Sequence, residues 1–201
     1  GVDEDDAPES APLTEIRPPH VDFAALSAAT ANELFVSQEW LDEVVELLNE
    51  KRQLVFYGPP GTGKTFLARR IAAQLVGEQQ VRLVQFHPSY TYEDFFEGFR
   101  PAADAESGTV SLELRAGPLR RLASEAKEHP DQAFILVIDE LNRANIAKVF
   151  GELYFLLEYR DQGVEVLYGG EPFTLPTNLY FVCTMNTADR SIALLDAAMR
   201  R

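Results

Sequence analysis

Gly58-Pro59-Pro60-Gly61-Thr62-Gly63-Lys64-Thr65 satisfies the pattern G-x-x-x-x-G-K-[ST] at every position. It follows Leu54-Val55-Phe56-Tyr57, an apolar run that predicts a strand. It opens a helical stretch from Gly63 to about Leu75, closed by Gly77. Strand, glycine-rich turn and helix in that order form the context in which this pattern cradles phosphate. Glycine lets the backbone curl so that successive N–H groups point at one centre. The helix N-terminus adds partial positive charge. Lys64 brings a point charge for the β- and γ-phosphates, and Thr65 a hydroxyl for Mg²⁺. The expected phosphate-binding residues are Gly58, Pro59, Pro60, Gly61, Thr62, Gly63, Lys64 and Thr65. A turn that binds nothing does not explain why lysine and hydroxyl both fall at the required offsets.

A second apolar run, Phe134-Ile135-Leu136-Val137-Ile138, ends in Asp139-Glu140. Carboxylates at the end of a buried strand are costly unless a cation or hydrogen bonds compensate them. Beside a phosphate loop, Asp139 is expected to hold the Mg²⁺ shell and Glu140 to polarise the attacking water. The competing reading is an acidic cap on the next helix. A third run, Leu179 to Thr184, leads into Met185-Asn186-Thr187-Ala188-Asp189-Arg190-Ser191. A parallel sheet places Asn186 near the γ-phosphate, where its amide could hold the lytic water. Asp189 and Arg190 could carry that contact to a neighbouring subunit. The alternative is an Asx turn followed by Ser191 as a helix cap. Arg200 and Arg201 end the chain. They are candidates for arginines that stabilise transferred charge from a neighbour, against the alternative of a solvated terminus.

Composition narrows the classes. The 201 residues carry 18 Lys+Arg and 32 Asp+Glu, a net charge of −14, with 46% hydrophobic residues. That apolar share excludes a wholly disordered chain. No apolar run reaches the roughly 18–20 residues of a membrane span. The N-terminus is acidic where a signal peptide is basic, and one cysteine, Cys183, forms no internal disulfide, so a cytoplasmic protein is expected. The acidic balance argues against this segment gripping nucleic acid through phosphates. Residues 1–20 hold six acids, one Arg and four Pro and read as an acidic, Pro-rich, solvated linker.

Between these landmarks, strands and helices alternate. Ser37 caps a predicted helix to about Glu50, with Trp40 on its apolar face, and Val81 to Phe86 reads as a strand. The aromatics from Tyr90 to Phe99 read as packing. Residues 102–116 look like an inserted hairpin with its turn at Ser107-Gly108. Helices are predicted from Gly117-Pro118 to about His129, from Ala144 to Tyr159, and from Ser191 to Arg200. Val164–Tyr168 and Phe173–Leu175 flank Gly169-Gly170 as a predicted hairpin. Alternation implies an α/β fold with a mostly parallel sheet covered on both faces, and ligands at the carboxyl ends of its strands.

Together the loop GPPGTGKT, the strand FILVIDE and the run MNTADRS resemble an AAA+ nucleoside triphosphatase. The stretches Phe86 to Phe95, Asp139 to Asn145 and Met185 to Arg201 narrow the resemblance. They are similar to the McrB-type motor subunit of modified-cytosine-dependent restriction systems, over about residues 35–201. The resemblance implies a three-layer P-loop core in residues 21–201 and a homo-oligomeric ring, usually a hexamer, with nucleotide between subunits. It makes Gly58 to Thr65 the phosphate site, Asp139 the Mg²⁺ ligand, Glu140 the catalytic carboxylate, Asn186 the sensor and Arg200 and Arg201 the trans-acting arginines. It implies a McrC-like nuclease partner that stimulates hydrolysis, with DNA read by a separate domain or subunit. McrB-type subunits suggest GTP and most AAA+ relatives use ATP, so the nucleotide stays open. AAA+ sheets have a fifth strand and a helical lid after the paired arginines. Here four core strands are expected, with the fifth strand and lid missing. Two other readings are an ATP-driven MoxR- or dynein-like remodelling chaperone and a non-hydrolysing scaffold.

Overall fold

The computed structural model describes residues 21–103 and 110–187. Helices α1 (Ala28–Leu34) and α2 (Gln38–Lys51) precede strand β1 (Gln53–Gly58), and α3 (Lys64–Val76) leads to β2 (Val81–Gln85). A short helix α4 (Tyr92–Phe95) precedes the strands β3 (Glu97–Ala103) and β4 (Val110–Ala116). Then follow α5 (Pro118–Glu128), β5 (Phe134–Asp139), α6 (Ile146–Phe150) and β6 (Leu179–Asn186).

Four strands form one sheet in the order β1-β6-β5-β2, all parallel. β5 is central, and all six of its residues are buried. Its side chains alternate between two cores. Ile135 and Val137 join Ala68 and Ala72 of α3 and Val45 and Leu48 of α2. Leu136 and Ile138 face Leu119 and Leu122 of α5 and Val149 of α6. Burial on both sides explains why the run is continuously apolar, without the alternation of a half-solvated strand. Each such side chain contributes roughly 2 kcal/mol through removal from water. The α/β class and the four parallel core strands are as the sequence implies.

The helix ends follow capping chemistry. Ser37 accepts the Trp40 N–H at the start of α2. Pro118 occupies the first turn of α5, where no N–H is needed. Trp40 is half-buried, with its ring 5.8 Å from that of Phe56. Tyr92, Phe95 and Phe96 are buried, whereas Phe99 is half-exposed.

Three expectations need correction. The helix predicted from Ala144 to Tyr159 is broken: α6 ends at Phe150 and a 3-10 helix runs over Gly151–Leu157. Gly151 takes φ +52° and ψ −131°, which an α-helix cannot continue. The segments around Gly169-Gly170 do not form paired strands. They share one antiparallel bridge, Val164 with Phe173, and Pro172 and Pro176 remove donors from any longer ladder. β3 and β4 pair antiparallel from Glu97↔Ala116 to Ala103↔Val110, so this hairpin begins earlier than residue 102. Its Ser107-Gly108 turn, residues 1–20 and the Ser191–Arg200 helix lie outside the described residues.

Candidate nucleotide site

The sheet register brings four strand ends together. Gly58 of β1 pairs with Asn186 of β6, and Gln85 of β2 with Asp139 of β5. The β5–β6 pairing runs to Ile138↔Cys183, one step before Asp139. The Thr187 N–H donates to the Gly58 carbonyl at 3.0 Å, tying the loop after β6 to the loop after β1.

The phosphate loop curls through Gly61 at φ +76° and Gly63 at φ +82°. A Cβ at either position would meet no atom within 4 Å. Backbone conformation, and not protein crowding, therefore demands these glycines, and the space beside them is open. Gly63 caps α3 with no side-chain hydrogen bond, which leaves the first-turn N–H groups for an anion. Lys64 Nζ donates to the Gly58 and Pro59 carbonyls at 3.1 and 2.7 Å, so its ammonium lies along the loop.

Asp139 is 8% exposed and fully partnered. Its Oδ1 accepts the hydroxyl protons of Thr65 and Thr184, both at 2.6 Å, and its Oδ2 faces the Gln85 amide at 3.4 Å. Among the described residues no three His, Cys, Asp or Glu side chains cluster as a metal cage. One carboxylate beside one hydroxyl suits Mg²⁺, which completes its octahedron with waters and substrate phosphates. Thr65 and Asp139 are the residues that fit it.

Glu140 stands at φ +56°, ψ +46°, left-handed although it has a side chain, a conformation that costs about 1–3 kcal/mol. Its backbone N–H donates to Thr184 Oγ1 at 3.1 Å. Its carboxylate accepts Asn186 Nδ2 on both oxygens, at 2.6 and 2.7 Å. Asn142 Nδ2 in turn donates to the Asn186 carbonyl at 3.0 Å, and Arg143 Nε lies 3.8 Å from Glu140 Oε2. A hydroxyl, two carboxylates and an amide thus converge opposite a curled loop of backbone donors.

Residues 53–201 match the AAA domain of the dynein-related subfamily. The chain belongs to that family. The match contains the phosphate loop, both acids and Asn186 of this AAA domain. The chain is also similar to the "Type IV methyl-directed restriction enzyme EcoKMcrB subunit" of Escherichia coli (strain K12). Identity is 42% over 180 residues, covering 85% of this chain and 38% of that protein. It is 29% identical over 188 residues to the "Type II restriction enzyme BsuMI component YdiS" of Bacillus subtilis (strain 168), covering 75% of this chain and 55% of that protein. The chain therefore spans 38% and 55% of the lengths of these relatives. A solved structure from Cytophaga hutchinsonii is similar with a TM-score of 0.48 at 17% identity, over 81% of this chain and 42% of that chain.

Of the residues singled out in the sequence, Gly58 to Thr65, Asp139, Glu140 and Asn186 come together in the AAA domain. Asp189, Arg190, Arg200 and Arg201 lie outside the described residues. Thr184, Gln85 and Asn142 were not foreseen. The available signal was spacing: Thr184 stands two residues before Asn186 on a strand, so both side chains share one face.

Proposed function

We propose that this AAA domain binds and hydrolyses a purine nucleoside triphosphate, GTP or ATP, as the motor part of a DNA restriction and phage-defence complex. The observation that carries the reading is the 2.6 Å hydrogen bond from Thr65, in the phosphate loop, to Asp139 at the end of the buried strand β5. It joins the group that takes the triphosphate to the acid that manages its cation.

In this reading the N–H groups of Gly61 to Thr65 and the Lys64 ammonium hold the β- and γ-phosphates. Thr65 and Asp139 hold the Mg²⁺ shell, and bound Mg²⁺ neutralises charge on the phosphate oxygens. The Glu140 carboxylate accepts the proton of the attacking water, and the Asn186 amide orients acid and water together. Arg200 and Arg201 reach the site of the next subunit in a homo-oligomeric ring, a hexamer by family resemblance. The similarity to two restriction components supports a restriction setting, with a McrC-like nuclease subunit as partner. The net charge of −14 supports contact with DNA through another domain or subunit. No helix among the described residues is long and apolar enough to cross a membrane, and the working compartment proposed is the cytoplasm.

Glu140→Gln tests the reading in the full-length protein. It should keep nucleotide binding and lower turnover by about 10²–10⁴-fold. A rate equal to that of the unsubstituted protein would assign a nucleotide-controlled scaffold in place of an enzyme.

A further inference from the structure

Strand β6 carries two polar side chains on the face that meets the acids, Thr184 and Asn186. Thr184 is 1% exposed and, with Asn186, interrupts a mostly apolar strand. Its hydroxyl has a single proton, and that proton goes to Asp139 Oδ1 at 2.6 Å. Its lone pair accepts the backbone N–H of Glu140 at 3.1 Å. The β5–β6 ladder stops at Ile138↔Cys183, so no strand carbonyl of that ladder is paired with Glu140. The Thr184 side chain replaces a main-chain acceptor at the residue where the backbone turns left-handed.

We infer that Thr184 is the positioning residue for both acids, setting the plane of the Asp139 carboxylate and the left-handed turn that aims Glu140 at Asn186. The inference rests on the proposed nucleotide hydrolysis. Asp139 Oδ1 receives two hydroxyl protons, from Thr65 and Thr184, while Oδ2 meets the Gln85 amide at the longer distance of 3.4 Å, so Oδ2 is the less occupied oxygen and the one to face a hydrated cation. Thr65 lies in the first turn of α3, beside the nucleotide loop, whereas Thr184 lies on β6 of the sheet, so its hydrogen bond holds the carboxylate from the side away from the loop's ligand. The same hydroxyl anchors Glu140, so one side chain couples the cation site to the water site.

Thr184→Val keeps the shape and removes the hydroxyl. In the full-length protein, kcat should fall and the Mg²⁺ concentration for half-maximal activity should rise, each by about 10–100-fold. Nucleotide affinity in EDTA should not change, because neither acid then acts on the triphosphate. Thr184→Ser should restore most of both losses. If Thr184→Val does not fold, Thr184→Ala, whose smaller side chain admits a water, is compared with Thr184→Ser in the same two measurements. A lowered melting temperature with unchanged kcat and unchanged Mg²⁺ half-saturation would assign Thr184 to packing alone and overturn the inference. Failure of the unsubstituted protein to bind GTP or ATP would instead overturn the proposed function, and that is seen before any variant is compared.

Discussion

Asn186 Nδ2 donates to both carboxylate oxygens of Glu140, at 2.6 and 2.7 Å, across 46 residues of chain. The acid at the end of β5 is thereby oriented from the end of β6. Asn186→Ala removes the oriented donor and should lower kcat by about 10²-fold with nucleotide affinity retained. Asn186→Asp keeps the shape but sets a second carboxylate against Glu140 in place of the donor, so it should lower kcat at least as far as Asn186→Ala. An Asn186→Asp variant as active as the unsubstituted protein would show that the two groups do not face each other during turnover.

Gly63→Ala separates backbone strain from ligand contact. At φ +82° an alanine costs about 1–2 kcal/mol, and its Cβ meets no protein atom within 4 Å. A modest drop in melting temperature is expected, read by thermal denaturation. Nucleotide affinity should fall more steeply, because the methyl group enters the space beside the N–H donors. Equal losses in stability and affinity would mean that the loop does not contact the ligand closely.

Cys183 lies in β6, buried, with its thiol pushed up to about 12 by burial. Thiolate is the reactive species, so a thiol reagent at pH 8 should label the native chain only as fast as it opens. The group also carries a pH sign. Its folded pKa exceeds its unfolded value, so the unfolded chain loses the proton first as pH rises. Its share of stability is complete below about pH 8.5, the ordinary thiol value, and is lost as pH rises toward 12. Labelling in native buffer against labelling in denaturant checks the first point. Immediate native labelling would contradict the burial of β6.

The chemistry was legible where residue type and strand position coincide. Asp139 ends a run of five apolar residues, and the two acids that close it, set beside a complete phosphate loop, read the run as a strand buried on both faces. The break at Gly151 was harder to read, because Val149, Phe150, Leu153, Leu156 and Leu157 keep helical spacing across it. The glycine was the visible signal. The Tyr92 ring, 3.4 Å from where a Gly151 Cβ would stand, was not. The start of β3 was hidden by Glu97, a charged residue that is 2% exposed. Its Oε2 lies 3.0 Å from Arg120 Nε of α5, a partner that sequence spacing does not reveal. Thr184 escaped notice for a related reason. Its meaning depends on which face of β6 meets Asp139, and a fully buried strand shows no alternation from which to read a face.

The central claim is that loop amides and Lys64 take a triphosphate whose cation is managed by Asp139. Titration of the full-length protein and of Lys64→Ala with GTP and with ATP, with and without Mg²⁺, tests it most directly. Binding should be detected for one purine triphosphate, tighten with Mg²⁺ and be lost in Lys64→Ala, with phosphate released only when Mg²⁺ is present. Absence of binding by the unsubstituted protein, or binding that Lys64→Ala leaves unchanged, would contradict the account.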